Sequence, residues 1–101
     1  MVTEVTNMEG ISKGMVLVDF YTTTCGPCKA MSPILEEISK EHTELRVAKV
    51  EVTQNPDVSQ YFGIMSVPTV IFMKDCKVKQ VIRGLSTKKA LKNMIENCVK
   101  D

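Results

Sequence analysis

Residues 15–28 read MVLVDFYTTTCGPC, a stretch that places two thiols between a predicted strand and a predicted helix. The apolar run at 15–21 contains β-branched residues and is typical of a buried parallel strand. The apolar residues of the segment 28–42 recur at steps of three, one and three, which is the spacing of an amphipathic helix. Cys25 and Cys28 are therefore predicted to lie in a strand-to-helix turn, with Cys25 near the N-terminus of the helix.

This turn favours redox chemistry at the two cysteines. Free backbone N–H groups and the helix dipole stabilise a thiolate at a helix N-terminus, and only the thiolate attacks a disulfide. Gly26 and Pro27 give the spacing at which Cys28 reaches back to Cys25 once the first turn forms, and Pro27 suits that turn because its missing N–H would have no partner there. We therefore predict thiol–disulfide exchange in which Cys25 attacks the substrate and Cys28 resolves the mixed disulfide.

A zinc site is the alternative for a pair of cysteines at this spacing. The chain has no second such pair, because Cys76 and Cys98 are far apart, and His42 is the single histidine. We therefore predict that Cys25 and Cys28 bind no metal and that the protein needs no prosthetic group.

The length and the charge of the chain narrow its function class. A chain of 101 residues predicts one domain, 1–101, that can bury a modest core. Thirteen Lys and Arg against twelve Asp and Glu leave a net charge of +1, which indicates neither nucleic acid nor an anionic membrane as partner. No apolar run approaches the ~20 residues of a membrane-spanning helix, and residues 1–7 lack the basic and apolar segments of a signal peptide. We expect a cytoplasmic protein whose thiols are kept reduced, so its cysteines do not predict a disulfide scaffold.

The other segments complete the pattern of an α/β sandwich with three layers. Asn55-Pro56 offers a cap and a first-turn proline for a short helix, and Ser86 is the predicted cap of the last helix. Asp75-Cys76 is predicted to form a two-residue hairpin turn. The predicted strands are 2–5, 15–21, 45–52, 69–73 and 77–82, and the predicted helical segments are 8–13, 28–42, 55–62 and one that begins after residue 86.

Several motifs resemble those of the thioredoxin family, in the same order and over nearly the whole chain. They are Asp19-Phe20-Tyr21, Cys25-Gly26-Pro27-Cys28-Lys29, Pro33, Gln54-Asn55-Pro56, Val67-Pro68-Thr69 and Gly84. The resemblance implies the thioredoxin fold, a three-layer α/β/α sandwich with a mixed five-stranded sheet and four flanking helices. It also implies a protein-disulfide reductase of cell redox homeostasis. Such an enzyme acts on disulfide-containing proteins and is reduced by a thioredoxin reductase, with electrons that come ultimately from NADPH or another donor.

Asp19 breaks the apolar pattern of its strand. Burying an unpaired carboxylate is costly or raises its pKa, so one interpretation is a strand-end side chain that reaches solvent. The family resemblance implies instead a buried acid behind Cys28 that moves a proton during exchange, with Lys49 as its partner in the next strand. Broken local rules tend to mark functional sites, which favours the second interpretation.

Val67-Pro68 opens a predicted strand, where a proline is tolerated without the loss of a ladder hydrogen bond. X–Pro bonds are mostly trans, and nothing in the residues themselves indicates a cis bond here. The resemblance alone implies a cis proline that faces the cysteines, with the backbone before it exposed to an incoming peptide. It also assigns Gly26, Pro27 and Gly84 to the turns and the substrate-binding surface of the site.

Three positions depart from the family pattern. Thr24 stands where thioredoxins usually carry tryptophan, and Tyr21 replaces the other common active-site tryptophan. A large apolar contact is therefore missing beside the disulfide, which should weaken or redirect partner binding. Met65 either restores adaptable apolar surface near Val67 or fills the core. Arg83 adds a charge where the family surface is usually apolar.

These departures keep two other functions open. One is a glutaredoxin-like or specialised reductase that donates electrons to one partner, such as ribonucleotide reductase. The other is a thioredoxin-fold binding subunit whose surface is used and not its thiols. The intact set of Cys25, Cys28, Asp19 and Lys49 argues against the binding subunit, which would not need these residues.

The two remaining cysteines differ in their predicted surroundings. Cys98 follows Met94 on the apolar face of the last helix, which predicts a buried and inert side chain. Cys76 lies in the predicted hairpin turn and should be exposed. We predict a monomer, with Cys76 as a candidate site for a disulfide between two copies.

Overall fold

The apolar strand that leads to the two cysteines lies at the centre of a five-stranded sheet. The computed structural model describes residues 2–100, and its strands are β1 (Val2–Glu4), β2 (Met15–Tyr21), β3 (Arg46–Glu51), β4 (Thr69–Lys74) and β5 (Lys77–Arg83). Their order across the sheet is β1-β3-β2-β4-β5. The first three strands of this order are parallel, whereas β4 is antiparallel to both β2 and β5. The predicted mixed sheet is confirmed.

Helices cover both faces of this sheet. They are α1 (Gly26–Glu41), α2 (Pro56–Tyr61) and α3 (Lys88–Val99), with 3₁₀ turns at Met8–Ile11 and Val52–Gln54. None of the helices that residues 2–100 form is long and apolar enough to cross a membrane.

The alternation of side chains along the strands divides the core into two clusters. On one face of the sheet, α1 and α3 pack against β2, and Leu17, Leu35 and Leu91 are fully buried there. On the other face, α2 and the first 3₁₀ turn pack against Phe20 through residues such as Val58. The predicted three-layer sandwich is confirmed.

The helix count differs from the expectation in one detail, since residues 2–100 form three α-helices and not four. The segment predicted at 8–13 forms only the 3₁₀ turn Met8–Ile11. The N–H of Gly10 bonds to both the carbonyl and the side-chain oxygen of Asn7, at 3.3 and 3.2 Å, which favours the tighter turn of three residues. Gly14 then adopts a positive φ of 70° and leads the chain into β2, so no room is left for a longer helix.

Most other elements differ from the predicted ones by one or two residues at an end. α1 begins two residues earlier than predicted, at Gly26. β3 ends at Glu51 because Val52 begins a 3₁₀ turn. The cap of α3 is Thr87 and not Ser86, since the Thr87 hydroxyl accepts the N–H of Ala90 at 3.1 Å. Serine and threonine are both strong caps, so the sequence does not separate adjacent ones.

The β4–β5 hairpin closes through Asp75 and Cys76, as predicted. Both residues have positive φ, 49° and 69°, as a two-residue turn of the primed type requires. Asp75 also ties the turn to Gly14, whose N–H donates to the Asp75 carboxylate at 3.1 Å and whose carbonyl accepts the Asp75 N–H at 2.9 Å. Cys76 is exposed and Cys98 is buried, again as predicted.

The two outer strands of the sheet are built differently from the central ones. β5 is largely exposed and carries Lys77, Lys79 and Arg83 on its exposed positions. β1, at the opposite edge, is only three residues long. Neither edge therefore presents a long apolar strand.

Thr87→Ala should lower the free energy of unfolding by about 1 kcal/mol, because the N–H of Ala90 loses its acceptor at the start of α3. Ser86→Ala removes the neighbouring hydroxyl and is the matched control, for which we expect less than half of this loss. Urea unfolding of the oxidised protein measures both variants against the unchanged chain. A larger loss for Ser86→Ala would return the cap to the residue predicted from the sequence.

Candidate active site

Cys25 and Cys28 form a disulfide where β2 leads into α1, with their Cα atoms 5.2 Å apart. Cys25 is the N-cap of α1, and its Sγ atom accepts a hydrogen bond from the backbone N–H of Cys28 at 3.1 Å. Cys25 is partly exposed, whereas Cys28 is only 3% exposed. A negative charge on the Cys25 sulfur would thus meet the N-terminus of the helix at a place that solvent reaches, while Cys28 is shielded.

Asp19 carries a fully buried carboxyl group in β2. It follows Leu17 by two residues and therefore faces the side of the sheet that α1 covers. Neither carboxylate oxygen has a hydrogen-bond partner within residues 2–100. Burial raises the pKa of Asp19 from 3.8 to about 6. The positive charge of Lys49 lowers this pKa, and the negative charge of Glu4 raises it further. The side chain does not reach solvent, and its role in proton transfer stays a prediction.

Lys49 is the neighbour of Asp19 in the adjacent strand, β3. Its Nζ atom donates to the hydroxyl of Ser32 on α1 at 3.3 Å and lies 4.3 Å from the centroid of the Tyr21 ring. A cation above an aromatic face is attracted by the electrons of the ring. The acid and the lysine that the resemblance pairs are therefore adjacent but not hydrogen-bonded, and Lys49 acts on Asp19 through space.

An open cleft of about 220 Å³ lies beside the disulfide. Cys28 and Lys49 both line it, so the two residues border the same space. The other lining residues are Tyr21, Thr22, Thr23, Lys29 and Ser32.

Tyr21 makes a contact that the sequence does not predict. Its hydroxyl donates a hydrogen bond to Oε1 of Glu4, on the edge strand β1. Burial, and after it this hydrogen bond, raises the pKa of Tyr21, so the hydroxyl keeps its proton. The contact follows from the strand order and register of the sheet. β3 lies between β1 and β2, and Glu4 on β1 is paired with Lys49 on β3.

The Val67–Pro68 peptide bond is cis, as the resemblance implies. The carbonyl of Pro68 accepts the N–H of Gly84 at 2.8 Å, so the turn after β5 lies against the proline. Gly84 has a φ of 91°, a conformation that residues with side chains rarely adopt. Backbone conformation therefore accounts for the glycine at this position.

A groove of about 180 Å³ borders this peptide bond. Met65 lines the groove and is 93% exposed, so it belongs to the surface and does not fill the core. Thr24 is also exposed, so a partner that approaches the disulfide meets a small polar side chain there. The other residues that line the groove are Thr22, Val52, Ile64, Ser66 and Val67.

Glu51, at the end of β3, is a residue of the site's framework that the sequence analysis missed. Its carboxylate accepts hydrogen bonds from the Thr53 hydroxyl at 2.7 Å and from the N–H of Gln54 at 3.3 Å. These bonds, with that of the Thr53 hydroxyl first, hold the pKa of Glu51 below its ordinary value. The carboxylate thus caps the 3₁₀ turn that begins at Val52 and borders the groove.

Together these residues provide the groups that thiol exchange requires. The site has an accessible sulfur at a helix N-terminus, a shielded sulfur, and a buried carboxyl group on the sheet face below the same helix. Within residues 2–100, no group of three or more His, Cys, Asp or Glu side chains is placed to hold a metal ion. The arrangement can therefore supply a nucleophile, a second thiol and a proton acceptor.

The chain matches known proteins over nearly its whole length. A family model described as Thioredoxin matches residues 2–97. A thioredoxin of Listeria monocytogenes is 40% identical over 99 residues, which cover 97% of this chain and 96% of that protein. A thioredoxin of Mycobacterium bovis is 45% identical over 85 residues, which cover 83% of this chain and 73% of that protein.

Solved structures of similar proteins share the fold. A mutant thioredoxin of Halobacterium salinarum superimposes with a TM-score of 0.88 at 31% identity, over 95% of this chain and 88% of that chain. The oxidised mitochondrial thioredoxin 3 of Saccharomyces cerevisiae superimposes with a TM-score of 0.86 at 29% identity, over 95% of this chain and 94% of that chain. The order and arrangement of strands and helices are therefore common to all three.

Asp19→Asn should raise the free energy of unfolding of the oxidised protein at and above neutral pH. The carboxyl group ionises near pH 6 in the native state and near 3.8 when unfolded, so the native state binds the extra proton between these values. Stability therefore falls as the pH rises through this interval and is constant above it. The whole difference corresponds to about 3 kcal/mol. Urea unfolding from about pH 4 to about pH 8 should show a gain for Asp19→Asn that grows to roughly this size.

Glu36→Gln neutralises an exposed carboxyl group on α1 and is the control. It should leave the pH profile of stability unchanged. If the profile of Asp19→Asn runs parallel to that of the unchanged chain at every pH, the buried carboxyl group does not ionise near pH 6 and this account of the site fails.

Proposed function

The chain belongs to the thioredoxin family and is a thiol–disulfide oxidoreductase, and on this premise we propose the part that each site residue takes in reducing a protein disulfide. The Cys25 thiolate attacks one sulfur of the substrate disulfide, and the other substrate sulfur leaves and takes up a proton. Cys28 then attacks the Cys25 sulfur of the mixed disulfide, which releases the second substrate thiol and closes the Cys25–Cys28 disulfide. Two electrons pass from this chain to the substrate.

One observation carries the assignment of roles. The Cys25 sulfur accepts a helix N–H and Cys25 is partly exposed, while Cys28 lies within the first turn and is only 3% exposed. The first sulfur is therefore the one that a large substrate can reach. The second acts only after the substrate is already bonded to Cys25.

We propose that Asp19 accepts the proton of the Cys28 thiol and later returns it. The Cys28 thiol must lose its proton before it attacks, and a carboxyl group with a pKa of about 6 can accept a proton near neutral pH and return it. Lys49 lowers that pKa, which keeps part of the carboxyl group ionised and able to accept. Asp19 and Lys49 thus form the acid–base part of the proposed mechanism.

Members of the thioredoxin family act on disulfide-containing proteins and are served by a reductase. For this chain we propose that a thioredoxin reductase, using NADPH or another donor, opens the Cys25–Cys28 disulfide. The groove beside Pro68 is where we expect a substrate peptide to lie, with Met65 as an adaptable apolar contact. We further propose a cytoplasmic monomer, because a net reductase needs a reducing compartment. The exposed Cys76 stays the candidate site for a disulfide between two copies.

The exposed Thr24 favours a reductase that acts on a narrow range of partner proteins. Without a large apolar side chain beside the first cysteine, partners gain less contact area there. A specialised electron donor to one partner, such as ribonucleotide reductase, is therefore the second candidate. The binding subunit is the weaker alternative, because a scaffold has no use for an unpaired buried acid.

In the reduced protein, Cys25 should react with iodoacetamide before Cys28 near neutral pH. The helix N–H groups favour the Cys25 thiolate, and solvent reaches its sulfur. Mass spectrometry of the labelled peptides measures the order. Cys76 is exposed on the hairpin and not at a helix N-terminus, so it is an internal reference and should be labelled more slowly than Cys25.

The Cys28→Ser variant should also stall as a mixed disulfide with a substrate protein, and Cys25→Ser should form none, because only Cys25 begins the exchange. Preferential labelling of Cys28, or trapping of substrate by Cys25→Ser, would reverse the proposed roles.

Thr24→Trp should raise the rate of protein-disulfide reduction several-fold. A gain on the order of 1 kcal/mol in apolar contact with the partner corresponds to a factor of about five. Reduction of insulin, with a thioredoxin reductase and NADPH as donor, measures the gain. Reduction of hydroxyethyl disulfide is the control and should change less, because a small disulfide touches little of the surrounding surface. Equal gains with both substrates would show that the side chain at position 24 acts on the thiol chemistry.

A further inference from the structure

Glu4, Lys49 and Asp19 form a row across three neighbouring strands. Glu4 lies in register with Lys49 on β3, and Lys49 lies in register with Asp19 on β2. Side chains at paired positions of adjacent strands point to the same face of the sheet, which here is the face that α1 covers. The single positive charge of the row therefore has a carboxyl group on each side.

The Lys49 ammonium forms an ion pair with neither of these carboxyl groups in the part of the chain that the structure describes. Its Nζ atom donates to Ser32 at 3.3 Å and lies 4.3 Å from the centroid of the Tyr21 ring. Glu4 is occupied as well, because its carboxylate accepts the Tyr21 hydroxyl. Tyr21 thus contacts both the lysine and the acid that competes for it.

We propose that Tyr21 is a positioning residue: it holds Glu4 with its hydroxyl and Lys49 with its ring, and so keeps the lysine charge available to Asp19. The position of this side chain permits both contacts. Tyr21 lies on β2 two residues beyond Asp19, and its hydroxyl reaches β1, so the ring passes over β3 where Lys49 is. The consequence for exchange rests on the proton role proposed for Asp19 above.

The charged and titratable groups around Asp19 are few. β1 contributes Glu4, β2 itself contributes Tyr21, and the paired residue on β4 is the apolar Val70. β3 contributes Lys49 and, two residues further on, Glu51, whose carboxylate is bonded to Thr53 and Gln54. From α1, Cys28 is bonded to Cys25 in the oxidised protein and does not titrate, and Lys29 lines the cleft. Besides burial, Lys49 and Glu4 are the groups that move the pKa of Asp19, and they are the two that Tyr21 holds.

Tyr21→Phe tests the hydroxyl while it keeps the ring. The released Glu4 should turn to Lys49 and draw its charge away from Asp19, so the pKa of Asp19 should rise by about 0.5. A ¹³C NMR titration of the Asp19 carboxyl carbon in the oxidised protein measures this without any turnover. Tyr61→Phe removes the hydroxyl of an exposed tyrosine on α2 and is the matched control, which should leave the pKa of Asp19 unchanged.

Glu4→Gln distinguishes positioning from a merely structural role of Tyr21. With a neutral amide at position 4, the Glu4 carboxylate no longer competes for Lys49 and no longer raises the pKa of Asp19, so this pKa should fall below that of the unchanged chain. Adding Tyr21→Phe to Glu4→Gln should then cause no further change. A rise in the pKa of Asp19 of equal size in both backgrounds, or no rise in either, overturns the proposal.

Exchange kinetics separate this inference from the proposed function. If Asp19 moves the proton of Cys28, the pH profile of exchange with hydroxyethyl disulfide should shift in Tyr21→Phe by the same amount as the pKa. If Asp19→Asn leaves the exchange rate unchanged at every pH while Tyr21→Phe still raises the pKa of Asp19, the proton role fails and the positioning by Tyr21 stands.

Discussion

The hydrogen bond from the Cys28 N–H to the Cys25 sulfur is the interaction around which the active site is arranged. Cys25 follows the turn after β2 and is also the N-cap of α1. The chain therefore changes from extended to helical geometry at the residue that carries the reactive sulfur. This change of direction leaves Cys25 partly exposed and buries Cys28 within the first turn of the helix. It also lays α1 across the sheet face on which Asp19 lies, so one cap places both sulfurs relative to the acid.

The buried Asp19 lowers the stability of the fold and is also the residue to which we assign the proton transfer. An apolar side chain at position 19 would be buried there without cost. The carboxyl group has no hydrogen-bond partner, and burial raises its pKa, so ionising it costs more than in water. The structure moderates this conflict with one cation, which itself is held by Ser32 and an aromatic ring and not by a carboxylate. The pKa of Asp19 on β2 thus depends on residues of the neighbouring strands as well, namely Lys49 on β3 and Glu4 on β1.

Most of the fold could be predicted because its elements carry strong local signals. The bounds of β2 agree with the apolar run, and the hairpin turn at Asp75 and Cys76 agrees with its two-residue length. Local signals do not choose between adjacent capping residues such as Ser86 and Thr87. They also do not show the cis bond before Pro68, whose energy differs little from that of the trans form. Only the family resemblance indicates that feature.

Within the site, the cysteines and Asp19 stand out in the sequence, the first by spacing and the second by breaking an apolar run. The contact between Glu4 and Tyr21 could not be read in the same way, because it depends on the position of β1 beside β3 and on their register. The exposure of Met65 likewise depends on the conformation of the loop before Pro68. Contacts set by strand order are the part of the site that only the three-dimensional structure supplies.

The exposed edge strand β5 has a consequence for concentrated solutions of the protein. An open sheet leaves unpaired backbone N–H and C=O groups along its outer strands, and another copy can add to them and start an aggregate. In such a pairing the cations Lys77, Lys79 and Arg83 would be brought close to those of the other copy, and the repulsion opposes growth. The other edge offers only the short β1. The sheet is thereby protected against edge-to-edge polymerisation without any additional element to cover it.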